Sequence, residues 1–190
     1  MDARYRLKFK KRREGKTNYK KRYNLLLSKE PRIVVRITNK QIIAETIEYS
    51  TQKGDKTVAY ASSNDLTAYG WTQAKKNTSA AYLTGLLCAK RATEKKIKSG
   101  IADFGLHTVH AKGRLFAAIK GALDGGLKIP HDDAVFPDEK RLSGTHLKTD
   151  ATKEFEKVKE NILKAKQEKK DKKKETTTKT TPKTKKKDKE

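Results

Sequence analysis

The alternation of apolar and polar residues changes character several times along the chain, and each change predicts an element. Residues 1–16, MDARYRLKFKKRREGK, hold no apolar period able to bury a face. Thr17 then reads as a helix N-cap. Tyr19, Tyr23, Leu26 and Leu27 follow at helical spacing, with Lys20, Lys21 and Arg22 on the other side and Pro31 as the stop. The pattern predicts a short helix docked on a core with a basic face outward.

Residues 32–38 (RIVVRIT) and 41–48 (QIIAETIE) are compact and β-branched, and Asn39-Lys40 between them predicts a tight hairpin because Asn tolerates positive φ. Ile33, Val35 and Ile37 share one strand face, and Ile43 and Ile47 share a face of the partner strand. Gly54-Asp55 marks a second turn, and Thr57–Ser62 reads as a third strand, so the three runs predict an antiparallel meander.

A longer connection, residues 64–77, carries Tyr69-Gly70-Trp71 and leads to a helix beginning near Thr78. Its apolar positions are Tyr82, Leu83, Leu86, Leu87 and Ala89, and Gly100 is expected to end it. Lys90, Arg91, Lys95, Lys96 and Lys98 crowd its second half, where they either complement the negative helix end or reach RNA. Residues 101–108 (IADFGLHT) read as a fourth strand, with Gly105 marking a bulge or a close backbone approach. Lys112-Gly113-Arg114 opens a second helix with the stripe Leu115, Ala118, Ile119, Ala122 and Leu123, closed by Gly125-Gly126.

The order βββ-α-β-α predicts an α/β (α+β) fold in which helices pack on a mixed sheet. Residues 128–147 read as an irregular segment over that domain. After Lys148, Phe155, Val158 and Ile162 draw one thin apolar line on a Glu/Lys-rich helix. Beyond about Lys170 the Lys/Thr composition cannot bury enough surface to offset its ordering entropy, and a disordered tail is expected. The expected division is a basic arm with its short helix (1–29), an α/β core (30–147), and a C-terminal helix and tail (148–190).

Charge sharpens this picture. The 190 residues carry 47 Lys+Arg against 23 Asp+Glu, a net charge of +24. Residues 1–29 alone hold 12 basic and 2 acidic groups, whereas residues 30–149 hold 19 and 12. Such an excess calls for a polyanion. Nucleic acid is the first expectation, with an anionic membrane surface as competitor. No run of 18 apolar residues occurs, and the opening residues lack a secretory signal pattern. The single cysteine, Cys88, excludes an internal disulfide and a zinc cluster, consistent with a reducing cytosol.

The candidate chemistry is recognition. Arg4, Arg6, Lys8, Lys10, Lys11, Arg12, Arg13, Lys20, Lys21 and Arg22 would neutralise phosphates, with Thr17 beside them at the helix start, and Tyr5, Phe9 and Tyr19 would stack on bases. The competing reading of this arm is a solubilising tail. Trp71 either stacks on a base or anchors its loop to the core. Lys75, Lys76 and Asn77 precede one helix start, and Lys112 and Arg114 flank another. Both are phosphate-site candidates, set against ordinary solvated charge.

Catalytic signatures are weak. No Gly-rich phosphate loop occurs. His107 and His110 lack a suitably spaced Cys or carboxylate for a metal site. Asp132-Asp133 and Asp138-Glu139 read as surface acids, with magnesium reachable only through RNA. Cys88, beside Leu87, reads as a buried thiol. The element order invites a ribonuclease-H-like nuclease, but Asp103 is the sole well-placed acid, with Glu45 a distant second, and two-metal chemistry needs a complete carboxylate cluster. The chain therefore reads as non-enzymatic, with no cofactor of its own.

Taken in order, several stretches resemble one family. They are TNYKKR (17–22), LLLSKEPRIVVR (25–36), GDKTVAYASSNDL (54–66), YGW (69–71), NTSAAYLTGLL (77–87), DFGLH (103–107), GRLFAAIKGALDGGLKIPHDD (113–133) and FPDEKRLSGTHL (136–147). Together with the basic opening arm they are similar to the 5S-rRNA-binding large-subunit ribosomal proteins of the L-eighteen type, in their archaeal form, over about residues 3–147. The resemblance implies a translation-component fold shaped like ribonuclease H without its activity. It implies binding to 5S rRNA and its attachment to 23S rRNA in the central protuberance, beside neighbouring ribosomal proteins, in the cytoplasm. It implies neither a membrane nor a homo-oligomer. The Lys/Thr tail falls outside it. A general nucleic-acid-compacting, chromatin-like protein remains the alternative.

Overall fold

The computed structural model describes residues 6–147 and 151–177, with side chains in the last helix described as far as Lys164. A one-turn helix α1 (Lys10–Arg13) and helix α2 (Tyr19–Leu27) precede three strands, β1 (Arg32–Ile37), β2 (Ile42–Ser50) and β3 (Gly54–Ser62). Helix α3 (Thr78–Glu94), strand β4 (Ile101–Asp103), helices α4 (Arg114–Asp124) and α5 (Glu139–Ser143), and the long helix α6 (Ala151–Thr177) follow. The sheet order is β3-β2-β1-β4. β1 runs antiparallel to β2 and parallel to β4, so the expected mixed sheet with helices on it is present. The chain leaves β3 at one edge, crosses through α3, and returns as β4 at the opposite edge.

Strand period sets the two faces. Ile33 and Val35 of β1 pair with Thr46 and Ala44 of β2, and Ala44 and Thr46 pair with Ala61 and Ala59 of β3. All six are buried against the helical layer. The tight turn pairs Ile37 with Ile42, which sends Ile42, Ala44 and Thr46 inward. It leaves the predicted pair Ile43 and Ile47, with Glu45 between them, half-buried on the outer face.

Small residues on the inner face let α3 lie close, and the two central helices approach closer still. A Cβ at Gly85 of α3 would collide with the Ala118 carbonyl of α4, and one at Gly121 of α4 with the Tyr82 carbonyl of α3. Each glycine thus admits the other helix's backbone. Below this pair, α6 lays Ala151, Phe155, Val158 and Ile162 into the core, with the Phe155 ring 5.4 Å from Tyr82. The thin apolar line therefore docks α6 onto α3, and Thr72 and Asn161 add hydrogen bonds to Glu154 and to the Tyr69 carbonyl.

Several boundaries depart from the sequence reading. Asn18, not Thr17, caps α2, its Oδ1 accepting from the Lys21 amide at 3.1 Å. The helix ends at Leu27, with Lys29 at φ 56, before Pro31 is reached. Its Tyr23 and Leu27 face solvent, while Arg22, Leu25 and Leu26 are half-buried. β3 begins at Gly54 rather than Thr57. α3 ends at Glu94, not Gly100, because the turn at Lys95 and Lys96 lets Ile97 fold back into the core. β4 stops at Asp103, where Gly105 turns the chain at φ 59. α6 runs to Thr177, past Lys170 where the disordered tail is expected to begin, while the expected boundary at 148 and the rest of that tail, from 178 onward, lie outside the described residues.

Candidate nucleic-acid interface

The basic residues divide into those that face solvent and those that bind the protein to itself. Arg6, Lys8, Lys10, Lys11, Arg12 and Arg13 are all exposed on the arm. Phe9 is 73% exposed, and its ring lies 5.4 Å from that of Tyr19, so two of the proposed stacking rings already form a pair at the base of the arm. Lys20 also points to solvent. Arg4 and Tyr5 lie outside the described residues.

Other predicted contacts are engaged with groups of the protein itself. Lys21 donates to the Gly105 carbonyl at 3.2 Å, and Arg22 donates to Asp55 at 2.8 Å. Both fasten α2 to the core, contrary to an outward basic face. Thr17 is half-buried beside them. Trp71 is 1% exposed, with its Nε1 directed at the Ala74 carbonyl 3.4 Å away. It anchors its loop and offers no ring for base stacking. Asn77 is the N-cap of α3, its Oδ1 accepting from the Ala80 amide at 2.7 Å, so this side chain serves the helix rather than a phosphate. Arg91 and Lys95 bond to the Tyr60 and Val58 carbonyls on the edge of β3, which blunts that edge against further strand pairing.

The two predicted helix-start sites converge. Arg114 reaches the Lys76 carbonyl at 3.3 Å. Lys76 and Arg114 line one cleft of about 260 Å3 together with His107, His110 and Asn39. The first turn of α4 borders this cleft, and its N-cap, Gly113, provides no side-chain cap. First-turn amides, a Lys and an Arg around one cavity can take a phosphate oxygen. Lys75 is exposed next to it. Lys112 does not join: it pairs with Asp138 at 3.3 Å on the far side of the turn.

His107 has a structural task in this cleft. Its Nε2 accepts the Ile37 amide at 3.1 Å and closes the end of β1. Partial burial, and then the nearby Arg36 charge, hold its pKa below the usual 6.5, which keeps Nε2 free to accept.

Sequence reasoning missed Arg32 and Arg36. The signal was available: they alternate with Ile33, Val35 and Ile37, on the strand face opposite to the core. Arg32 is 3% exposed, and its Nη1 donates to Asp103 at 3.0 Å. Asp103 also accepts the Gly105 amide at 2.8 Å, and Arg36 donates to the Asp103 carbonyl at 2.9 Å. The acid that invited a nuclease reading is therefore a structural counter-ion. Among the described residues, no three His, Cys, Asp or Glu side chains gather as a metal site would require, and no helix is long and apolar enough to cross a membrane. Cys88 is buried, and desolvation pushes its thiol up to about 11.

These features define a basic α/β protein with an exposed cationic arm, and comparison with known proteins gives its family. The family model described as "Ribosomal large subunit proteins 60S L5, and 50S L18" matches residues 3–102. The chain is 51% identical over 146 residues to the large ribosomal subunit protein uL18 of Caldivirga maquilingensis, covering 76% of this chain and 70% of that one. It is 49% identical over 145 residues to the uL18 of Thermofilum pendens, covering 76% and 74%. It is 43% identical over 164 residues to that of Methanothrix thermoacetophila, covering 84% and 96%. The chain belongs to this family of large-subunit ribosomal proteins. Membership makes it a structural component of the cytoplasmic ribosome and not an enzyme.

Proposed function

We propose that this protein binds 5S rRNA and fastens it to 23S rRNA in the central protuberance, next to other large-subunit proteins. The observation that carries the reading is the sorting of charge: six basic side chains from Arg6 to Arg13 face solvent together, with Glu14 the one acid of residues 3–16, whereas residues 30–149 set 12 acidic groups against 19 basic ones. The arm would lie along RNA backbone and release counterions. The Lys76–Arg114 cleft, on the body of the domain, would take a second phosphate run. RNA helices present shape and phosphates, whereas loops present splayed bases. Phe9 and Tyr19 at the base of the arm suit a looped-out base. Magnesium enters this reading only as a companion of the RNA.

The test is competition. Labelled 5S rRNA is bound at physiological salt and challenged with excess transfer RNA or duplex DNA. Retention of 5S rRNA is expected. Equal displacement by every competitor would overturn the reading in favour of a general nucleic-acid-compacting protein.

A further inference from the structure

We propose that the cleft between α2 and the β1–β4 end of the sheet is a seat for a single phosphate group, supplied by RNA backbone, which locks the arm onto the core. The RNA source rests on the function proposed above, whereas the anion seat itself rests on the geometry of the cleft.

An ion ladder runs through this region. Arg22 meets Asp55 at 2.8 Å, Asp55 meets Arg32 at 3.0 Å, Arg32 meets Asp103 at 3.0 Å, and Asp103 approaches Arg36 at 3.8 Å. Cations stand at both ends and in the middle, so the ladder is not neutral. Lys21 and Lys16 add to it along the cleft, and Glu14 pairs with Lys16 at 2.9 Å. Among the described residues, five cations against three carboxylates leave an excess of two positive charges at and beside one cavity of about 110 Å3. That volume is ample for one tetrahedral anion.

Arg32 makes the cavity more than a charged patch. It is 3% exposed and lines the cleft, yet its Nε has no hydrogen-bond partner. Its Nη2 is in ion-pair range of Asp55 without a hydrogen bond of good direction. A buried guanidinium with open donors calls for an acceptor. A phosphate oxygen is the acceptor that also offsets the charge excess, and it suits the planar fork of Arg. Gly105 is part of the arrangement: at φ 59 it turns the chain, and a Cβ there would strike the Arg36 guanidinium. An anion seated here would touch side chains from the arm and α2 and from β1 together. Arm docking and RNA binding would then be one event.

The test uses the full chain and inorganic phosphate, titrated against chloride at fixed ionic strength with nitrogen-resolved NMR. The Arg32 Nε–H and Gly105 amide signals should move saturably, and Arg36→Gln should weaken the apparent Kd about tenfold. Lys21→Gln, at an exposed position, is the second variant should the first disturb the fold. Movement spread evenly over the lysine-rich surface, or an affinity in both variants unchanged from the parent, would overturn the seat. Binding of 5S rRNA is then measured against salt, where either variant should lower the logarithmic slope by about one. Loss of the phosphate seat with an unchanged RNA slope would overturn the RNA source and leave a free-anion site. Phosphate seating without any 5S rRNA binding would overturn the functional reading while the seat stands.

Discussion

Arg32 and Asp103 lie 71 positions apart in sequence and meet at 3.0 Å, both almost fully buried, where β1 and β4 run parallel. The pair ties the meander to the strand that arrives after the α3 crossover. Removing one partner of a buried pair leaves an uncompensated charge, at a cost of about 3–5 kcal/mol. Asp55 retains a hold on Arg32, so Asp103→Asn is expected at the lower end, about 3 kcal/mol. A urea titration reads this as a lower midpoint with an unchanged slope. A variant as stable as the parent would show that the pair contributes nothing.

The contact between α3 and α4 makes a second prediction. Gly85 and Gly121 each face the backbone of the opposite helix with no room for a methyl group. Gly121→Ala must push the helices apart or bend one of them, and overpacking of this kind costs about 1–3 kcal/mol or more. Helix propensity alone would favour Ala by about 1 kcal/mol, so the sign of the change in unfolding free energy separates the two effects. A net loss is expected.

Element identity was legible wherever period decided it. The two-residue alternation of Ile33, Val35 and Ile37 and the helical stripe from Leu115 to Ala122 both lie where expected. What could not be read were features whose partner comes from elsewhere in the chain. Arg22 looks like a surface cation until Asp55 is placed beside it, and Lys21 until the Gly105 carbonyl is. Gly100 looked like the end of α3, but burial of Ile97 required a turn two lysines earlier, with Lys96 accepting a φ of 67. Trp71 was ambiguous because composition does not distinguish a ring that packs from one that stacks. For the interface, the arm was read from charge alone, whereas the meeting of Lys76 with Arg114 needed the fold.

Protonation of His107 should weaken the native state. Its folded pKa lies below the unfolded value of 6.5, chiefly through desolvation and then through Arg36. The native state therefore favours the neutral ring that accepts the Ile37 amide. The stabilisation is complete above pH 6.5 and is lost as pH falls through the lowered folded value. Denaturant midpoints at about pH 7.5 and pH 5 should differ by less in His107→Gln than in the parent. An identical difference would remove His107 from the account.

Cys88 offers a probe of core opening. Its thiol is buried and pushed up to about 11, so near pH 8 roughly a thousandth is thiolate, and even that fraction is out of reach of reagent. Labelling by a thiol reagent should be slow in the native protein and should rise steeply through the urea transition. Rapid labelling without denaturant would place the α3 face of the sheet in solvent.

The division of labour between arm and core can be tested by cutting the chain. Deletion of residues 1–16 removes eight of the 47 basic residues but no buried side chain among those described. The truncated protein should keep the parent's unfolding free energy, read by urea titration, to within about 0.5 kcal/mol, as for surface changes generally. Its 5S rRNA affinity should fall, with a shallower salt dependence, because each lost phosphate contact takes about 0.7–0.9 from the logarithmic slope. Lys76→Gln with Arg114→Gln, by contrast, should lower the slope by about two while leaving the arm intact. If the double variant changes nothing, the cleft is not on the RNA side of the protein and the arm acts alone. If the truncation unfolds the chain, the division of arm from core is wrong and residues 1–16 belong to the folded domain.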